Sequence, residues 1–172
     1  MRLYLSISPF QEPVTLEEVK TYLRIVSDQE DDLLRTIISS ARASVENITG
    51  RALLKQRWRM QLTPPYPPSF PLVKSKTGEV IVTLPFPPLL GVDSVKAGER
   101  EIPYGVEEDR VILSPLLWGK GLSIDFWAGY GETSASLPPD LKMAVLMGTR
   151  FLYEGQAINL PILTPYKVMR VM

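Results

Sequence analysis

The sequence predicts an α+β fold: a three-helix core, built from two N-terminal helices plus one C-terminal helix, with an inserted small antiparallel β-module and an extended C-terminal tail. Three observations carry this. Apolar residues recur at three- and four-residue spacing through residues 28–48, the period of a helix with one buried stripe. After Gly50 the period falls to two and stays there to about residue 130, as in half-buried strands. The 16 prolines cluster at 64–71, 85–88, 138–139 and 161–165, which divides the chain into an α–β–α order. The expected division is 1–52 for an N-terminal arm and helical hairpin, 53–131 for the β-module, 132–155 for the third core helix and 156–172 for the tail.

The long helix is the best-marked element. Leu34, Ile37, Ile38, Ala41, Val45 and Ile48 form its stripe. Ser27 is placed to cap it, with Glu30 completing a capping box. Asp28, Glu30, Asp31 and Asp32 crowd its first turn, where the helix dipole favours negative charge. Gly50 suits the left-handed residue that ends a helix. Arg35, Ser39, Arg42 and Glu46 lie off the stripe and are expected on a solvated face.

The preceding helix opens at Thr15, with Glu18 to complete a capping box and Val14 and Val19 as a hydrophobic staple. Leu16, Val19, Tyr22 and Leu23 form its expected inner face. Before it, Leu3, Leu5 and Ile7 alternate with Arg2, Tyr4 and Ser6. That pattern fits an extended arm, a short edge strand or a segment packed on a neighbouring subunit.

In the β-module, strands are expected at 56–62, 79–84, 92–96 and 122–127, with a hairpin of 102–106 and 110–113 around Glu107, Glu108 and Asp109. The proline-rich stretch 63–71 must interrupt a ladder, because proline brings no N–H to it. Pro138 and Pro139 launch the third helix, whose stripe is Leu141, Ala144, Val145, Gly148, Phe151 and Leu152. Gly148 is weak for propensity, by about 1 kcal/mol relative to alanine, and a close helix–helix approach would explain it. The tail after Gly155 is apolar and broken by two prolines. It needs a surface, either its own domain or a partner.

Composition narrows the chemistry. With Cys 0 and His 0, disulfides, thiolate or imidazole metal sites, cysteine nucleophiles and Ser-His-Asp arrangements are excluded. Lys+Arg 19 balances Asp+Glu 19, without the basic excess of a general nucleic-acid binder. Gly119-Lys120-Gly121 and Gly129-Tyr130-Gly131 lack phosphate-loop or dinucleotide spacing and suit turns at strand ends. The carboxylate groups at 28–32 and 107–109 suit helix-dipole compensation and a solvated turn. No cofactor is expected. The N-terminus lacks a signal peptide's apolar core and cleavage site, and no run approaches a membrane span, so a soluble intracellular protein is expected. Lys55, Arg57 and Arg59 interleave with Trp58, but strand alternation turns Trp58 away from the arginines. That favours a core tryptophan over a base-stacking site, and leaves Arg57 and Arg59 to line a surface.

Several short strings, in order, resemble the head–tail connector (adaptor) family of tailed bacteriophages and gene-transfer particles. They are Val19-Lys20, Leu23-Arg24, Asp31-Asp32 with Leu34, Ala41-Arg42, Val45-Glu46 and Gly50-Arg51. A second landmark is Ala128-Gly129-Tyr130-Gly131 ahead of Pro138-Pro139-Asp140-Leu141. Tyr153-Glu154 and Pro165-Tyr166 resemble the family's end. The resemblance spans most of the chain and thins through the β-module.

The resemblance implies a structural protein and no enzyme. It implies a ring, commonly dodecameric, beneath the portal protein at the head–tail junction of a virion assembled in the host cytoplasm. Such a ring extends the channel for genomic DNA without sequence-specific binding, and gives a platform for a stopper or tail-completion protein. The C-terminal segment would reach the portal through Leu160, Ile162, Leu163, Pro165, Tyr166, Val168 and Arg170. Arg35, Arg42, Glu46, Arg57 and Arg59 become candidate ring-contact or channel residues. The competing expectations are another phage assembly or tail-completion factor, a nucleic-acid-binding module using Arg57 and Arg59, and, most remote, a carboxylate-based hydrolase.

Overall fold

The computed structural model describes residues 1–65, 72–117 and 119–168. They form two compact units. One comprises Pro9–Leu54 and Tyr130–Val168; the other comprises Met1–Ser8 and Lys55–Gly129.

The first unit is helical. Its α1 (Leu16–Leu23) carries the expected capping box. The Glu18 backbone N–H donates to Thr15 Oγ1 at 3.1 Å, and the Thr15 N–H donates to Glu18 Oε2 at 2.9 Å. Val14, Leu16 and Val19 are buried, while Tyr22 lies exposed and outside the inner face expected for it. Arg24 takes a left-handed conformation and stops the helix.

Next, α2 spans Asp31–Thr49, starting a turn later than the sequence suggests. Ser27 does not cap it. The Ser27 Oγ instead accepts from the Gln29 N–H at 3.2 Å, in a local turn. Lys20 of α1 draws Asp28 into an ion pair and holds Asp31 at 2.8 Å, so the acidic cluster is divided between the connection and the helix. Gly50 ends α2 in the left-handed region, its N–H donating to the Glu46 carbonyl at 2.8 Å.

Within this unit α3 (Pro139–Tyr153) packs along α2. Leu34, Ile38, Ala41 and Val45 of α2 meet Leu141, Ala144 and Val145 of α3 in one core, with Ile37 and Ile48 only half-buried. Helix α3 does come close to α2 at Gly148. A β-carbon built there would nevertheless lie 3.6 Å from Ala41 Cβ and 3.5 Å from Ile158 Cδ1, an ordinary contact that does not demand glycine. Gly131 is different: a β-carbon there would lie 2.6 Å from Ser136 Cβ, so only glycine lets the turn before α3 close.

The second unit is all β. Its strands are β1 (Arg2–Ile7), β2 (Gln56–Leu62), β3 (Leu72–Lys74), β4 (Val80–Thr83), β5 (Leu89–Ala97), β6 (Arg100–Glu101), β7 (Gly105–Glu107), β8 (Arg110–Leu113) and β9 (Leu122–Ala128). They make two antiparallel sheets, ordered β1-β2-β9-β5-β6 and β3-β4-β8-β7. The N-terminal segment thus takes the edge-strand form, with Leu3 opposite Met60 and Leu5 opposite Trp58. The hairpin around Glu107, Glu108 and Asp109 forms with Glu108 in the left-handed region. Met60, Leu62, Val95, Ile124 and Phe126 of the larger sheet are buried, as are Val80, Val82, Val111 and Leu113 of the smaller.

Candidate assembly surfaces

Arg35 is exposed on α2 and available for contact. Arg42 and Glu46 are not. Arg42 donates from Nε to Glu12 at 2.8 Å and from Nη1 to Glu46 at 2.9 Å, and Glu46 Oε1 accepts the Leu53 N–H at 2.9 Å. Their side chains are only 12% and 9% exposed. The expectation that these two lie on a free face is corrected. A buried carboxylate is retained only when paired and hydrogen-bonded, and here it ties the end of α2 to the chain entering α1 and to the turn after Gly50.

Arg57 and Arg59 lie on one face of β2, opposite Trp127 and Asp125 of β9 respectively. Arg59 grips Asp125 with two bonds, Nε to Oδ1 at 2.7 Å and Nη2 to Oδ2 at 2.9 Å. This bidentate form is the strong geometry for arginine and carboxylate. The Arg59 guanidinium pulls the Asp125 carboxyl below its ordinary pKa, against the upward push of burial, and its own is raised in return. Arg57 Nη2 also approaches Asp125, at 3.7 Å, while its Nε lies 2.8 Å from Asp93 Oδ2 on β5. Asp93 in turn accepts the indole N–H of Trp127 at 3.1 Å, and Lys55 sits 5.2 Å above the centre of that ring. Trp58, on the other face, stacks on Phe86 with centroids 4.6 Å apart. The separation of Trp58 from the arginines is as expected. The carboxylates were missed: Ser123, Asp125 and Trp127 alternate onto the arginine face, but strand order is needed to bring β9 and β5 alongside.

The tail turns back on the helical unit. Pro161–Tyr166 forms a 3-10 helix. Leu160 and Leu163 are buried in the core of α1, α2 and α3, and Ile162 and Tyr166 pack half-buried against it. Arg51 Nε donates to the Tyr166 carbonyl at 2.8 Å, and the Val168 N–H donates to the Thr49 carbonyl at 2.8 Å. Leu160 and Leu163 are therefore corrected from docking side chains to core side chains. Pro165 stays exposed and Val168 half-buried; Arg170 lies outside the described residues.

Among the described residues no cluster of His, Cys, Asp and Glu could hold a metal ion, and no helix is long and apolar enough to cross a membrane. Exposed apolar side chains include Phe10, Val26 and Leu33 in the helical unit, and Leu5, Ile7, Val73 and Leu116 in the β unit.

Residues 13–83 match the family model described as phage gp6-like head-tail connector protein. The match runs from the start of α1 through β4, so it holds the helical hairpin and the arginine-bearing strand together. No curated protein sequence matches the chain. Among solved structures it is similar to a chain in the neck of an empty GTA particle computed with C6 symmetry, with 24% identity and a TM-score of 0.74. It is similar also to a chain in the virion of a native gene transfer agent particle, with 23% identity and a TM-score of 0.74. A third is a chain in the neck of a native GTA particle computed with C12 symmetry, with 21% identity and a TM-score of 0.70. Each likeness covers 100% of this chain and 98% of the other. It is a likeness of fold, and it runs past the family match over the rest of the β unit, α3 and the tail.

Proposed function

We propose that the chain is a structural head–tail connector, or adaptor, at the neck of a phage or gene-transfer particle. Copies form a ring under the portal protein, extend the DNA channel and carry the stopper or tail-completion protein. The observation that supports this best is the full-length likeness of fold to neck chains, joined to the family match in α1, α2 and β2. The C6 and C12 symmetries of those necks favour a ring of twelve copies, or a multiple of six. Side-to-side contacts of the heterologous kind close into a ring when the rotation fits. The particle's junction is the place of action, and assembly takes place in the host cytoplasm.

Arg35 on α2 is a ring-contact candidate. Portal docking falls to the outward part of the tail, namely Ile162, Pro165, Tyr166 and Val168, with Arg170 beyond them. Leu160 and Leu163 act indirectly by seating the segment. Mixing the purified protein with its portal ring, then measuring co-sedimentation and particle symmetry, tests the proposal. A stacked ring is the expected outcome. A stable monomer that ignores the portal would refute the connector role and favour another assembly factor.

A further inference from the structure

The arginine face of the larger sheet has the parts of a phosphate-binding strip, with its two arginines already paired to carboxylates. Arg57 and Arg59 lie on β2 with Lys55 just before it, and Lys96 of β5 lies opposite Ser123, two residues from Asp125. Cations beside an aromatic surface are what a nucleic-acid backbone meets in a binding groove. Here two carboxylates stand among them. Asp125 takes both bonds of the Arg59 fork and lies 3.7 Å from Arg57, and Asp93 lies 2.8 Å from the Arg57 Nε. Phosphate and carboxylate compete for the same fork geometry. The carboxylates are already in place, so they pay none of the association entropy that a passing phosphate must.

We propose that Asp93 and Asp125 passivate this face toward duplex DNA: Arg57 and Arg59 are a latent pair of phosphate ligands that the two carboxylates keep engaged. The surface can then lie beside a polyanion without gripping it. The chemistry belongs to this chain alone; its purpose rests on the connector reading, in which DNA moves past.

The test uses the full chain and a short mixed-sequence DNA duplex, with binding followed by fluorescence anisotropy between about 50 and 200 mM salt. The wild-type protein is expected to bind weakly. Asp93→Asn with Asp125→Asn keeps side-chain size and removes both charges. This variant is expected to bind more tightly, with the dependence of log K on log salt steeper by about 1.8, since each phosphate contact contributes about 0.9. Adding Arg57→Gln and Arg59→Gln should abolish the gain. If the double variant does not fold, Asp93→Asn alone, at an exposed position, removes the nearer of the two carboxylates from Arg57 and should steepen the slope by up to about 0.9. A folded variant that binds no better than wild type overturns the proposal. So does wild-type protein that already binds as tightly, or a gain that survives loss of the arginines. Portal co-sedimentation of the same variants separates the two readings: a variant that still stacks on the portal but gains no DNA binding sinks the passivation alone.

Discussion

The guanidinium of Arg51 donates from Nε to the backbone carbonyl of Tyr166 at 2.8 Å, joining residues 115 apart in sequence. Together with the Val168–Thr49 backbone bond, it closes the C-terminal segment over the end of α2. Leu163 fills the core beneath. Leu163→Ala should therefore destabilise the helical unit by about 2–5 kcal/mol, the range for a truncated buried leucine. Chemical denaturation of the purified variant measures it, and a near-neutral midpoint would show that the tail is seated only loosely.

Portal attachment should separate from this effect. Tyr166 is half-buried, and its hydroxyl lies 3.4 Å from Asp140. Tyr166→Phe removes the hydroxyl and leaves the ring, so stability should change by less than about 1 kcal/mol, the net worth of one ordinary hydrogen bond. Pro165→Ala should likewise leave the fold intact. A loss of portal co-sedimentation with either variant, at unchanged stability, would locate the contact there. Full attachment by both would remove them from it.

Adjacent isoleucines on α2 should behave differently. Ile38 is buried in the core while Ile37 is half-buried. Ile38→Ala should cost about 2–5 kcal/mol and Ile37→Ala distinctly less. Equal costs in parallel denaturation curves would mean that the stripe is rotated from its observed position.

Gly148→Ala should be neutral or stabilising, by up to about 1 kcal/mol from helix propensity. Its new methyl would make ordinary contacts with Ala41 and Ile158. A lowered melting temperature would show that α2 and α3 pack more tightly at Gly148 than these contacts indicate. At Gly131, by contrast, alanine should destabilise, since its β-carbon would collide with Ser136.

Acid should unfold the β unit partly through Asp125. Its carboxyl is held below the ordinary value, first by the Arg59 hydrogen bonds. A depressed folded-state pKa contributes stability above the unfolded pKa, near 3.9 for an ordinary aspartate. That contribution falls away as pH drops through the lower folded value. Denaturation midpoints from about pH 6 down to pH 2 should therefore fall less steeply in Asp125→Asn than in wild type. Parallel pH profiles would show that the pair adds nothing to folding.

How much of this was legible in the sequence depends on how local each signal is. The stripe of α2, the capping box at Thr15 and Glu18, the stop at Gly50 and the proline entry to α3 each depend on residues within a turn or two of one another. All were readable, as was the alternation that separates Trp58 from Arg57 and Arg59. The start of α2 was not legible: Glu30 stands at its N-cap without a side-chain bond, and Ser27 accepts from the Gln29 N–H in a turn before the helix. The β-hairpin at Glu108 was legible from its polar tip, but the division into two sheets was not.

By itself, the sequence determined the element order, the central core stripes of α2 and α3, the lack of thiol or imidazole chemistry and the connector resemblance. Periodicity and composition are properties of the chain alone. Only tertiary structure decided that Arg42 and Glu46 face inward, that Asp93 and Asp125 engage the arginines, and that Leu160 and Leu163 belong to the core. Each of those outcomes depends on a partner that is distant in sequence: Glu12, another strand of the sheet, or the α2–α3 core. A charge can be read from its codon, but whether it is free depends on what the fold sets beside it.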